Sequence, residues 1–307
     1  MAEVAVPATS ANLGCLFDCA AIALNLELRA AATPLPTPEL EFSCSGEGAD
    51  LIPRDSTNLV VRGIHRLYAW AAAPPPGLRI ELRSAIPVGV GLGSSAAAVL
   101  AGLLIGAELS GQRPDDATLI GLAAELEGHP DNVAAAFLGG LVVSMVGADA
   151  GPVLTRKALV PPELEFIVVI PDRPMLTARS RSVLPTSYSR ADAVHNLQRA
   201  ALLVAAAFSG EFDFQPAYFA DRWHQSRRAD LVPGLGACLE LEHPDLLGVC
   251  LSGAGSAVLA ITRRSGSEVE QGLLQRFRAE GVDARALRLR ADNQGAQGHL
   301  GAKVIPA

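Results

Sequence analysis

Lysine is almost missing from this chain. Of its 307 residues, only Lys157 and Lys303 are lysines, and the remaining fixed positive charge is arginine. Chemistry that grips phosphate with a lysine has almost no candidates, and no Gly-Lys-Ser/Thr of a Walker loop occurs. Positive charge is also short overall: 25 Lys+Arg stand against 32 Asp+Glu, a formal net charge of −7. That balance disfavours a nucleic-acid or anionic-membrane binder. Charged residues make up only 19% and hydrophobic ones 50%, which excludes a disordered chain. The five cysteines (Cys15, Cys19, Cys44, Cys238, Cys250) are odd in number and form no CxxC pair. Neither a disulfide framework nor a zinc site is suggested, and thiols in a reducing cytosol are the plain reading. Long apolar runs are missing too: Ala96 to Ala107, counting Gly102 and Gly106, falls short of the roughly 18 residues of a spanning helix. The opening Met-Ala-Glu-Val lacks the basic start of a signal peptide. The expectation is a soluble cytoplasmic protein with neither nucleic acid nor membrane as partner; a homodimer is left open.

Hydrophobic periodicity predicts strands over 3–8, 19–32, 78–83, 164–170 and 284–290, and a strand, glycine turn and strand over 248–261. It predicts helices over 58–73, 94–109, 115–127, 191–208, 215–229, 235–242 and 268–280, with Asp115 or Asp116 as a cap for the third. Strands and helices mix without a regular βαβ rhythm, which reads as α+β. The glycine-rich stretch 147–152 suggests a division into 1–155 and 156–307.

The sharpest feature is the run Pro87, Val88, Gly89, Val90, Gly91, Leu92, Gly93, Ser94, Ser95, Ala96, Ala97. Alternating glycines let backbone approach a ligand, and the helix that follows presents its positive end to the same point. That suits a polyphosphate, with Ser94 and Ser95 adding hydroxyls for phosphate or magnesium. A purely structural turn explains a bare GxGxG equally well. A dinucleotide fingerprint fails, because the third glycine comes too soon and no acidic residue closes a following strand.

Two further blocks give the run a context: residues 6–18, Val-Pro-Ala-Thr-Ser-Ala-Asn-Leu-Gly-Cys-Leu-Phe-Asp, and residues 251–258, Leu-Ser-Gly-Ala-Gly-Ser-Ala-Val. In this order, over almost the whole chain, the three blocks resemble the GHMP kinases. The first block is similar to that of the homoserine kinases among them. So are Glu127-Gly-His-Pro-Asp-Asn-Val-Ala, Thr177 with Arg181, and Asp221 to Gly234. Two positions depart from the pattern: Leu16 and Ala21 stand where the family has glycine.

The resemblance implies a two-domain GHMP kinase fold: an N-terminal ATP-binding domain carrying the glycine loop, and a C-terminal ferredoxin-like α+β domain. It implies phosphorylation of L-homoserine by ATP with Mg2+, on the route to threonine. ATP would be held by Asn58 on the adenine side and by residues 87–97 around the phosphates, with Ser94 and Glu127 as magnesium ligands and Glu125 as the weaker alternative. Asn12 and Asp18 suit the substrate ammonium. Arg181 and Arg228 suit the carboxylate, because a guanidinium fork matches it bidentately, and Thr177 is a further substrate-binding residue. His129, Asp131 and Asn132 would sit on a loop over the acceptor hydroxyl. Asp131 is a base candidate, while the homoserine kinase resemblance favours Asn132 orienting the hydroxyl with no base. His195, His224 and His243 read as structural. A mevalonate-type kinase and a non-catalytic sensor are the rivals; a sensor has no reason to keep magnesium ligands.

Overall fold

The computed structural model describes residues 1–148, 151–173, 175, 177–263 and 266–296. The first sheet is built on one long strand. β1 (Ala2–Asn12) runs antiparallel to β2 (Leu16–Leu35) along one edge of it. The opposite edge of β2 is shared: β4 (Gly77–Ser84) takes its second half and β5 (Leu141–Gly147) its first. β3 (Leu40–Gly46) adds parallel to β4, and β6 (Gly151–Ala158) adds antiparallel to β5. The register of β1 on β2 slips between Pro7 and Ala8, where proline has no N–H to give the ladder. In β4 every second residue is buried, as one covered face requires.

Among the described residues, four α-helices accompany this sheet: α1 (Leu59–Trp70), α2 (Ser94–Ser110), α3 (Asp116–Glu127) and α4 (Asp131–Leu138). α2 is apolar all round and buried from Ala96 to Ala107 except for Ala98, as a central helix should be. Its backbone touches that of α1 through Gly102. A Cβ there would run into the Val60 carbonyl and come within 2.9 Å of the Gly63 Cα.

The chain leaves this sheet at Ala158 and enters a second one at Glu165. The second sheet holds β7 (Glu165–Pro171), β8 (Leu246–Leu251), β9 (Val258–Thr262) and β10 (Ala284–Leu289), in the order β10-β7-β9-β8 and antiparallel throughout. Between β7 and β8 come α5 (Thr177–Ser182), α6 (Arg190–Phe208), α7 (Gln225–Ala229) and α8 (Leu235–Leu239). α9 (Ser267–Ala279) joins β9 to β10 and buries Val269, Leu273 and Phe277, one face at four-residue spacing. Strand, helices, strand, strand, helix, strand is the ferredoxin-like pattern. Among the described residues, no helix is long and apolar enough to cross a membrane.

The structure departs from the sequence expectation in several places. β3, α4, α5, β5 and β6 were not anticipated, and the glycine-rich stretch 147–152 joins the paired strands β5 and β6. Asp131 and Asn132 open α4 instead of lying on a loop. The expected helix over 215–229 is broken in two. A 3-10 turn covers Pro216–Phe219, and the Asp221 carboxylate then accepts the N–H groups of Trp223, His224 and Gln225 at 2.7–2.8 Å, which restarts the chain as α7.

Candidate active site

The three blocks meet where the two sheets come together. Thr9 N–H donates to the Leu92 carbonyl (3.1 Å), Gly253 N–H to Ala11 (3.0 Å) and Ala257 N–H to Val90 (3.0 Å). The Ser252 hydroxyl reaches both the Gly91 carbonyl (2.7 Å) and the Ser10 hydroxyl (2.8 Å). Gly91 has a φ of +87°. A Cβ on it would strike the Ser252 carbonyl, so glycine is required there on both counts.

A cavity of about 300 Å³ opens beside these braces. Within the loop, Val88, Gly89 and residues 91–95 line it, while Pro87, Val90, Ala96 and Ala97 are buried behind it. α2 begins at Gly93 with no side-chain cap, leaving its first N–H groups to meet an anion. Beyond the loop, Leu51, Ile52 and Pro53 form an apolar wall with Asn58. Asn58 is also the cap of α1: its Oδ1 accepts from Val60 N–H (2.9 Å) and its Nδ2 donates to the Pro53 carbonyl (2.7 Å).

Ser94 and Glu127 face the same cavity, and the Ser95 hydroxyl donates to Glu127 Oε2 at 2.8 Å. Burial raises the Glu127 pKa, against the pull of that hydrogen bond. A carboxylate held this way gains from a nearby cation. Glu125 turns elsewhere and pairs with Arg66 at 2.6 Å. Hard oxygens from Ser94 and Glu127 fit magnesium, which takes one or two protein ligands and completes its shell with phosphate and water. Among the described residues no group of three or more acids, histidines or cysteines forms a denser metal site.

At the other end, Asp131 is buried and its Oδ1 collects three donors: His129 Nδ1 (2.6 Å), Asn132 N–H (2.7 Å) and Asn132 Nδ2 (3.1 Å). Asn132 Oδ1 accepts from the Thr9 hydroxyl (2.7 Å), so the amide is held from both sides. Burial works against charge on His129, but the hydrogen bond to Asp131 and its negative charge prevail and raise the pKa above 6.5. A raised histidine stabilises the fold fully below its unfolded pKa and loses that contribution as pH rises through the folded value. Stability of wild type relative to His129→Gln is therefore expected to fall from about pH 6.5 upward. Urea titrations at several pH values check this, and a flat difference overturns it.

Asn12 and Asp18 both have positive φ (73° and 55°), a strained backbone concentrated at the cavity. Asn12 spends its side chain inside the protein: Nδ2 donates to the Gly253 carbonyl (2.8 Å) and Oδ1 accepts from Asp18 N–H (2.9 Å). Asp18 and Arg181 form a bidentate ion pair at 2.7 and 3.0 Å. The groups read for ammonium and carboxylate thus hold each other. Thr177 opens α5, and its side chain lies outside the described residues. Arg228 is 1% exposed and among the described residues meets only neutral acceptors, with its pKa pushed down to about 10 by burial and then by the charge of Arg181. Phe17 lies under both guanidiniums, 5.7 Å from Arg181 and 5.5 Å from Arg228.

The sequence assigns no role to Phe17 or Thr9 and reads His224 as structural. Phe17 sits beside Asp18 in the first block, a signal that was present and unused. The cavity contact of Leu51 to Pro53 had no signal. Leu16 is buried in the core, and Ala21 pairs with Ala11 and Val142 in the sheet.

Residues 58–140 match the family described as GHMP kinases N terminal domain. The homoserine kinase of Desulfitobacterium hafniense is 38% identical over 302 residues, covering 96% of this chain and 99% of that protein. The homoserine kinase of Carboxydothermus hydrogenoformans is 40% identical over 298 residues, covering 96% of each. Among solved structures, a homoserine kinase from Cytophaga hutchinsonii superposes with a TM-score of 0.83 at 26% identity, covering 95% of both chains. A mevalonate kinase from L. major, solved with R-mevalonate, reaches 0.61 at 13% identity and speaks for the fold alone.

Proposed function

We propose the following chemistry on one premise: the chain belongs to the homoserine kinase family, within the GHMP kinases. It transfers the γ-phosphoryl group of ATP to the hydroxyl of L-homoserine, giving O-phospho-L-homoserine on the route to threonine. The observation that carries the reading is a cavity whose one end is the glycine loop at the start of α2 and whose other end holds Asp18, Arg181 and Arg228.

The N–H groups at the start of α2 and the loop 88–95 hold the phosphates, and the adenine lies along Leu51 to Pro53 and Asn58. Ser94 and Glu127 would hold magnesium. When bound, it neutralises phosphate charge, the main demand of a loose phosphoryl-transfer transition state. Asp18 takes the substrate ammonium at the rim that Asn12 fixes. Arg181 and Arg228 take the carboxylate. Asn132, braced by Thr9 and Asp131, orients the acceptor hydroxyl, and His129 keeps Asp131 in place. A cytoplasmic location fits the unpaired thiols.

Asp131 acts here as a brace and not as a base, since one of its oxygens already satisfies three donors. Asp131→Asn is therefore expected to keep turnover within about tenfold of wild type, whereas loss of a true base costs about 10²–10⁴-fold. A steady-state assay with homoserine affinity measured alongside decides between them. The reading as a whole is tested by ADP release with L-homoserine, D-homoserine, serine and mevalonate side by side. Product from mevalonate and none from L-homoserine would sink it.

A further inference from the structure

Arg228 carries its charge where almost nothing can hydrate it. Nε donates to the Ser180 carbonyl (3.2 Å), and Nη1 donates to the Gly253 carbonyl (3.1 Å) and to His224 Nδ1 (3.0 Å). No acceptor among the described residues meets Nη2, and the side chain borders the cavity. A guanidinium has only donors, so His224 Nδ1 must present its lone pair. The ring proton then sits on Nε2 and is donated to the Gly14 carbonyl at 2.7 Å. The tautomer follows from these two contacts together. Asp221 stands 3.7 Å from Nε2, too far for a hydrogen bond.

His224 is 0% exposed, so water cannot replace the bond to Arg228 if it is lost. Its ring packs 5.1 Å from that of Phe17, the ring that also lies under both arginines. The charged groups around it are Asp221 ahead of α7, Arg228 on α7 and Asp18 on β2, with Arg181 reached through Phe17. Protonation would set a second donor and a second positive charge against Nη1. Burial opposes that protonation, and the pKa is lowered.

We propose that His224 is a positioning residue for substrate recognition: as a neutral imidazole protonated on Nε2, it holds the Arg228 guanidinium so that Nη2 points at the carboxylate of homoserine. The proposal rests on the reading that Arg228 meets that carboxylate. Two substitutions separate positioning from simple structural support. In His224→Gln the amide reaches the Nε2 position, so the contact to Gly14 persists and the acceptor for Arg228 is lost. In His224→Asn an oxygen stands near the Nδ1 position, so the acceptor persists and the contact to Gly14 is lost.

His224→Gln is expected to raise KM for homoserine about 10- to 100-fold, the range for losing one hydrogen bond to a charged group. kcat and KM for ATP stay near wild type. His224→Asn recovers most of the loss. Aminopropanol, which is homoserine without its carboxylate, should be used equally well by wild type and His224→Gln. Equal losses in both variants, or a loss with aminopropanol as large as with homoserine, overturn the proposal. If Arg228→Leu itself leaves homoserine kcat/KM intact, the underlying reading of Arg228 has failed instead, and the role of His224 falls with it. Wild-type protein labelled with 15N-histidine gives a check that needs no variant. One ring should stay neutral and protonated on Nε2 to lower pH than an ordinary histidine, shifting on addition of homoserine. Absence of such a ring overturns the proposal.

Discussion

Arg228→Leu should bind ATP normally and fail with homoserine. Under the proposed reading ATP and magnesium are handled at the glycine loop, and the α-carboxylate is the fixed negative charge that marks an amino-acid substrate. Lys157 is committed elsewhere: it donates to the carbonyls of Leu138 (2.5 Å) and Asn293 (2.7 Å), and Lys303 lies outside the described residues. Removing one partner of a desolvated charge pair costs about 2–5 kcal/mol, or roughly 30- to several-thousand-fold in kcat/KM. The substitution also takes a donor from the Ser180 carbonyl and from His224 Nδ1, each loss worth about 1–3 kcal/mol when buried, while the Gly253 carbonyl keeps Asn12 Nδ2. Thermal melting and ATP binding must therefore be measured on the same preparation. Homoserine kcat/KM within about threefold of wild type, under 1 kcal/mol, would remove Arg228 from the substrate site.

Glu127→Gln should lose most turnover and keep its fold. The change is isosteric and preserves an acceptor for the Ser95 hydroxyl, which stands 2.8 Å away. What it removes is the negative charge. Metal stabilisation of a transferring phosphoryl group is worth several kcal/mol, so a fall of about 100-fold or more in kcat is expected. Because burial disfavours the carboxylate in the free protein, the variant should melt at or above the wild-type temperature without magnesium. Wild-type rates at saturating magnesium would exclude the role. They would not pass it to Glu125, whose ion pair with Arg66 faces away from the cavity.

The parts of the fold that the sequence made legible are those whose causes are local. α2 follows directly from a small, apolar run behind three glycines, and the alternating burial of β4 follows from alternating residues. β3 was missed because it is an edge strand with little buried on either face. β5 and β6 were missed because Gly147 to Pro152 looks like a linker, although β5 and β6 pair across it. α5 has only six residues and no period to detect. At the site, the three motif blocks named residues that line one cavity, but not how those residues are tied. The contact of His224 with Gly14 spans 210 positions and that of Asn12 with Gly253 spans 241. No local pattern encodes such distances. The break at Asp221 was hidden for a related reason: a carboxylate that gathers three backbone N–H groups ends one helix and starts another without glycine or proline.

The ion pair between Asp18 and Arg181 bears on which alcohols the cavity rejects. The two charges satisfy each other, so neither stands unpaired in a half-buried setting. Under the proposed reading, a zwitterion entering between them exchanges one ion pair for two: its ammonium replaces Arg181 at Asp18, and its carboxylate replaces Asp18 at Arg181. The trade is balanced only when the guest brings both signs. A hydroxy acid such as mevalonate offers a carboxylate alone. It would draw Arg181 away and strand the Asp18 carboxylate, so an isolated charge is the toll on every guest that is not an amino acid.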